Sequence, residues 1–124
     1  MKAQTVYQKV EMETIPKLTL VIMCYKKIIE LLRDAIDYIK RGEYDRKSES
    51  LSKAVDIITE LISALDFEKG KQIAYALNNI YLYCLNTIME ADSGNKADLL
   101  EGLIPILEEI KDAWEQISKK GIRK

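Results

Sequence analysis

The stretch that decides the fold is residues 45–65, DRKSESLSKAVDIITELISAL. Its apolar side chains recur at spacings of three and four residues, which is the period of one face of an α-helix. Polar and charged side chains fill the opposite face, so this helix alone would leave an apolar stripe in water. The pattern therefore predicts that the helix packs against other helices through Leu51, Ala54, Ile58, Leu61 and Leu65.

Three further segments, residues 16–40, 71–91 and 96–118, carry the same helical period, and none alternates as a β-strand does. Connections of a few residues favour antiparallel neighbours. The sequence therefore predicts an all-α, antiparallel up-down-up-down four-helix bundle, with residues 1–15 as an extended N-terminal tail and residues 16–124 as one domain. The predicted core stripes are Leu18, Val21, Tyr25, Ile28, Leu32, Ala35 and Ile39; Ile73, Leu77, Ile80, Cys84, Ile88 and Ala91; and Leu100, Leu103, Leu107, Ile110, Trp114 and Ile117.

Glycine and proline mark the ends of these segments. Gly42 is suited to the left-handed conformation that often follows a helix, and Asp45 is a suitable N-cap for the second helix. Pro105 lacks an amide donor and would clash with the preceding turn. It predicts either a kink in the fourth helix or a helix that starts at Pro105.

The balance of charge excludes several classes of function. The chain has 19 basic and 20 acidic residues, interspersed along its length, which is unlike the basic stripe of a nucleic-acid-binding protein. The longest apolar run, residues 20–24, is far shorter than the roughly 20 residues that span a bilayer. The start has no signal-peptide pattern. We therefore expect a cytoplasmic protein with no nucleic-acid partner and no direct membrane insertion.

No pattern of residues predicts catalysis or a cofactor. The sequence contains no histidine, which is the commonest general base and metal ligand. Cys24 and Cys84 lie far apart and inside helical segments, which is typical of buried free thiols. We expect no metal, no other cofactor and no enzymatic activity.

The third helix is more apolar than a simple bundle requires. Its polar residues share a narrow stripe, so the apolar arc covers about 200°, whereas a core face needs about 100°. Two interpretations remain open: two neighbouring helices bury the wider arc, or the surplus lines a groove for a partner's apolar helix. The surplus residues are Tyr75, Leu82, Leu85 and Met89, and Ile57 and Ala64 of the second helix would extend them into one channel.

Runs of residues in a distinctive order cover nearly the whole chain. The turn GEYDRK at residues 42–47 precedes KAVDIITEL at 53–61, LDFEKG at 65–70 leads into the third helix, and DAW at 112–114 lies in the fourth. Their order and spacing resemble the flagellin-specific export chaperones of bacterial flagella. One departure is that lysine and glutamine at residues 71–72 replace the usual Gly-Glu pair of that family.

The resemblance implies a chaperone that binds the C-terminal segment of flagellin around the outside of its bundle. It also implies that residues 1–15 cover part of this surface until flagellin arrives, and a disordered terminus is the alternative. Tyr7 and Val10 in this tail are assigned to docking on a membrane protein of the export gate. The alternative function is a homo-oligomeric helical adaptor or structural bundle, and a weak homodimer is compatible with either function.

Overall fold

Four α-helices joined by short turns make up the chain. The computed structural model describes the backbone of residues 3–122 and the side chains of residues 17–120. That part of the chain contains no β-strand, so the predicted all-α class is confirmed. The helices are α1 (Ala3–Lys40), α2 (Tyr44–Ser63), α3 (Phe67–Gly94) and α4 (Ala97–Ile122).

Helix α1 begins at Ala3, before the start that was predicted at Pro16. The side chains of residues 3–16 lie outside the described part of the chain. The division into a tail of residues 1–15 and a bundle of residues 16–124 therefore stays a prediction.

Ion pairs between α1 and α4 define the relative direction of these helices. The partners advance by seven residues along α1 and recede by seven along α4, so the two helices are antiparallel. Helix α1 packs against α2 and α4, and α3 packs against the same two helices, which places α1 and α3 on a diagonal. Exposed ion pairs contribute little to stability, so these pairs mark the register of the bundle. They are Lys26 with Glu115, Arg33 with Glu108, and Lys40 with Glu101.

The apolar stripes of the four helices meet in one core. Tyr25, Ile28 and Leu51 are fully buried, as predicted. Ile73 and Ile117, which were also predicted to be core residues, are 68% and 49% exposed. The helical period identifies the face on which a residue lies but not how deeply its neighbours cover it. Both residues lie near the end of the bundle where α3 begins and α4 finishes, and the prediction is wrong there.

Several predicted helix boundaries need correction, although Gly42 has the predicted left-handed conformation, with φ 74. The N-cap position of α2 is held by Glu43 and not by Asp45. Pro105 lies inside α4, which begins at Ala97, so the alternative of a helix start at Pro105 is wrong.

Helix α3 starts earlier than predicted and is interrupted soon afterwards. The Oδ1 atom of Asp66 accepts hydrogen bonds from the main-chain N–H groups of Glu68 and Lys69, at 3.1 and 3.0 Å. This N-cap satisfies the first amide donors and lets the helix begin at Phe67. Lys71 then has φ 47 and ψ −123, a conformation that strains a side chain and that glycine adopts freely. The first turn of α3 is therefore set off from the rest of the helix.

A buried lysine joins α2 to α3 at one end of the bundle. The Nζ atom of Lys47 donates to the main-chain oxygen of Asp92 at 2.8 Å and to Oδ1 of Asn95 at 2.6 Å. It also lies 2.8 Å from Oδ1 of Asp92, which accepts a hydrogen bond from Oγ of Ser48. Partial burial raises the pKa of Asp92, but these hydrogen bonds and the lysine charge outweigh it and hold the pKa below its ordinary value. This end of the bundle is closed by polar contacts.

Candidate partner-binding surface

An apolar strip runs along the outside of α3. Tyr75, Leu82 and Met89 are 60%, 44% and 66% exposed. They follow one another at seven-residue spacing, so they lie on one line of the helix surface about 21 Å long. Residues 72–89 contain no charged side chain, although charged residues make up 31% of the chain. We call Tyr75, Leu82 and Met89 the α3 strip.

The α3 strip lies beside the contact between α2 and α3. Ser48 hydrogen-bonds to Asp92 of α3, and Val55 and Ile62 follow Ser48 at seven-residue spacing, so all three lie on the flank of α2 that faces α3. Val55 and Ile62 are half-buried, as is Leu85 of α3. An exposed apolar line beside half-buried apolar side chains suits the apolar face of a partner helix.

The other two residues predicted for the channel lie on a different flank. The hydroxyl of Ser50 donates to the main-chain oxygen of Leu31 on α1 at 2.8 Å. Ile57 and Ala64 follow Ser50 at seven-residue spacing, so they lie on the flank of α2 that faces α1. Ile57 is half-buried and Ala64 is exposed. The structure therefore groups Tyr75, Leu82, Leu85 and Met89 together, apart from Ile57 and Ala64.

An open cleft lies at the end of the bundle where α2 ends and α3 begins. It has a volume of about 260 Å³, and its walls come from all four helices. Among the described side chains that line this cleft, Ala64 is the one that was predicted for the channel. We call this space the end cleft, and its lining residues include Val21, Leu61, Ala64, Ile73, Leu77, Tyr81 and Trp114.

The helical period predicts a core position for most of these lining residues. Leu77 and Trp114 do have the spacing of core residues, and both are partly buried. The helical period does not reveal that an open space remains between the helices. The positive φ of Lys71 comes directly after Gly70, which lines the cleft.

Neutral polar groups lie at and beneath the end cleft: Tyr81 lines it, and Tyr25 and Cys84 are buried in the core. The hydroxyl oxygens of Tyr25 and Tyr81 lie 2.6 Å apart. Burial raises the pKa of both hydroxyls, and it raises the pKa of the Cys84 thiol to about 11. These groups are therefore uncharged near neutral pH.

Neither a metal-binding cluster nor a membrane-spanning helix is found in the part of the chain that the structure describes. Among side chains 17–120, no cluster of histidine, cysteine, aspartate and glutamate has the arrangement of a metal site. No helix within residues 3–122 combines the length and the apolar character needed to cross a bilayer.

Tyr7 and Val10, which were predicted to dock on an export gate, have side chains outside the described residues.

An uncharged apolar strip and an open apolar cleft on a helical bundle are features typical of helical proteins that bind other chains. The family model described as Flagellar protein FliS matches residues 1–121. The chain therefore belongs to the FliS family.

Curated relatives agree with this family. The flagellar secretion chaperone FliS of Vibrio cholerae is 39% identical over 72% of this chain, and the match spans 65% of that relative, just under two-thirds of its length. The flagellar secretion chaperone FliS of Salmonella typhimurium is 35% identical over 77% of each chain. The flagellar secretion chaperone FliSB of Pseudomonas aeruginosa is 31% identical over 95% of this chain and 97% of its own.

Proposed function

We propose that this chain is a cytoplasmic export chaperone that binds the disordered C-terminal segment of flagellin. Binding prevents premature polymerisation, and the complex delivers flagellin to the flagellar type III export apparatus. The observation that carries the proposal is the α3 strip, Tyr75, Leu82 and Met89, which is exposed on a member of a family of flagellar secretion chaperones. An exposed apolar line of this length is a common mark of a binding surface.

The α3 strip fits the apolar face of an amphipathic helix. Its length of about 21 Å corresponds to about 14 helical residues of a partner. Because residues 72–89 carry no charge, a partner face without charges would bury no unpaired ion there. Leu85 beside the strip, and Ile57 and Ala64 on the other flank of α2, are proposed as additional contacts for a segment that passes around the bundle.

Binding would proceed by coupled folding. Full burial of a large apolar side chain contributes about 1.5–3 kcal/mol, and this gain is offset by the conformational entropy that a disordered segment loses on ordering. Occupancy alone then keeps the segment from polymerising, so the proposal requires no ATP, cofactor or enzymatic step. We propose that Tyr7 and Val10 dock the loaded chaperone on a membrane protein of the export gate, where competition releases the segment.

A binding experiment with two forms of flagellin tests this function. The chain is mixed with the host's flagellin or with flagellin that lacks its C-terminal segment, and each mixture is run on a sizing column with light scattering. We expect the chain to co-elute with the complete flagellin and not with the truncated form. Folded protein that binds neither form would contradict the proposal. A stable dimer that hides the α3 strip would favour the homo-oligomeric adaptor instead.

A further inference from the structure

The end cleft contains a hydrogen-bond donor that lacks an acceptor. The indole Nε1 atom of Trp114 is buried and has no hydrogen-bond partner among the described residues. A buried donor without a partner costs about 1–3 kcal/mol, and most such groups in native proteins are paired. The position of Trp114 in the lining of an open cleft points to an acceptor that arrives from outside.

The neighbouring tyrosine hydroxyl groups do not supply the acceptor that the Trp114 indole N–H lacks. Burial raises the pKa of Tyr25, and the nearby Tyr81 hydroxyl and Trp114 indole oppose part of the rise, yet the indole does not reach hydrogen-bonding geometry. These residues supply three donors, and one hydrogen bond, between Tyr25 and Tyr81, is formed among them. If Trp114 shifted to pair with Tyr25, one of the two hydroxyl hydrogens would still lack an acceptor. When Tyr25 is the donor to Tyr81, that hydrogen belongs to Tyr81, which lines the cleft.

We propose that the end cleft receives a neutral hydrogen-bond acceptor from the C-terminal segment of flagellin, bound by Trp114 and Tyr81. The acceptor is a side-chain amide or a free main-chain carbonyl flanked by apolar residues. A carboxylate is disfavoured, because Asp66 is the one charged residue among the described residues that line the cleft, and its charge is negative. This proposal rests on the function proposed above and adds a specificity-determining contact to it.

The α3 strip leads directly into the end cleft. Tyr75, the first residue of the strip, follows Ala74 in the cleft lining, and its ring lies 4.8 Å from that of Phe67 at the start of α3. Ile73, at the mouth of the cleft, is exposed. One segment that lies along the α3 strip therefore reaches the cleft without crossing a charged surface, since residues 72–89 carry no charge.

The single tryptophan of the chain makes the contact directly observable. A synthetic peptide of the host flagellin's C-terminal segment is titrated into 15N-labelled protein, and the one indole N–H signal of Trp114 is followed by NMR. A downfield shift of the indole proton that saturates with binding is expected. An unchanged signal at full occupancy, with binding verified by calorimetry, would overturn the proposal and leave the proposed function intact. A peptide that does not bind at all would overturn both.

Two conservative substitutions distinguish an effect on peptide binding from an effect on the thermal stability of the protein. Tyr81→Phe and Tyr25→Phe break the same hydrogen bond, but only Tyr81 lines the cleft. We expect similar thermal stability for the two variants, and peptide affinity about tenfold weaker for Tyr81→Phe alone, the loss of one hydrogen bond. Equal affinity in the two variants would contradict a role for the Tyr81 hydroxyl in the cleft.

Discussion

The Nζ atom of Lys47 lies 2.8 Å from Oδ1 of Asp92 and joins the first turns of α2 to the end of α3. The same nitrogen donates to the main-chain oxygen of Asp92 and to the side chain of Asn95, so its three protons all have acceptors. Asn95 has φ 52, and this contact supports its left-handed conformation. The bundle is therefore closed by polar contacts at one end and has an open cleft at the other.

Replacing Lys47 tests how much these polar contacts contribute to the free energy of unfolding. Lys47→Met keeps the aliphatic stem but leaves Asp92 and Asn95 without their donor, so we expect a loss of about 2 kcal/mol in the free energy of unfolding. Lys53→Met, at an exposed position of the same helix, is the control and should change it by about 0.5 kcal/mol or less. Urea unfolding measures both variants. Equal values for the two would show that the contact is not stabilising.

The lowered pKa of Asp92 predicts a dependence of stability on pH. A carboxyl whose pKa is lower in the folded than in the unfolded state stabilises the fold above the unfolded pKa, about 4. This contribution is lost as the pH falls through the lower, folded pKa. The stability difference between wild type and Asp92→Asn should therefore shrink from pH 6 towards pH 3 in urea unfolding. A difference that stays constant over this range would contradict the assignment.

The strained backbone at Lys71 predicts a stabilising substitution. Glycine adopts φ 47 and ψ −123 without a side-chain clash, so Lys71→Gly should raise the free energy of unfolding by about 1 kcal/mol. Gln72→Gly, one residue later and in helical conformation, should lower it by about 0.5–1 kcal/mol. Thermal melts measure the stability of both variants. A loss of stability in both would contradict the claim that the backbone at Lys71 is strained.

Sequence patterns predict those parts of this fold that depend on one helix at a time. The spacing of Tyr25, Ile28 and Leu51 identifies buried faces, because a helix presents every third or fourth residue to the same side. The exposure of Leu82 and Met89 follows from the same reasoning, since their face lies opposite the core stripe of α3.

Features that depend on several helices together were not predictable from the sequence. The end cleft is formed by residues of four helices together, so its lining by Leu77 and Trp114 has no signature in their spacing. The early start of α3 depends on two hydrogen bonds to Asp66 that a propensity pattern does not specify. The position of Ile57 on the flank of α2 that faces α1 has no sequence signature for a similar reason, because the packing of α2 defines which flank faces α3.

The proposed docking tail predicts a defect in secretion without a defect in binding. Tyr7→Ala should leave the thermal stability and the binding of flagellin nearly unchanged, because Tyr7 lies outside the predicted core stripes. Secretion of flagellin by cells that carry the variant should fall. Lys17→Ala, an exposed position on α1, is the control. A loss of several kcal/mol in the stability of Tyr7→Ala would instead make this residue part of the core.

Charged substitutions in the α3 strip test whether it is a true surface. Leu82→Glu and Met89→Glu place a carboxylate where it stays hydrated, so each should cost about 1 kcal/mol or less. Ile88→Glu, next to Met89 but buried in the core, should cost several kcal/mol and unfold the protein. Circular dichroism melts measure all three. Unfolding of the Leu82→Glu and Met89→Glu variants would show that these two side chains belong to the core and not to the surface.

Calorimetric titration of the flagellin C-terminal segment into three folded proteins tests the central claim most directly. The proteins are the wild type, Leu82→Glu and Gln116→Glu, the last of which places the same charge on an exposed position of α4. If the segment binds along the α3 strip, the wild type and Gln116→Glu will bind it with similar affinity. Leu82→Glu will bind it at least about 100-fold more weakly, the loss expected for a central contact. Binding of equal strength to all three would contradict the account.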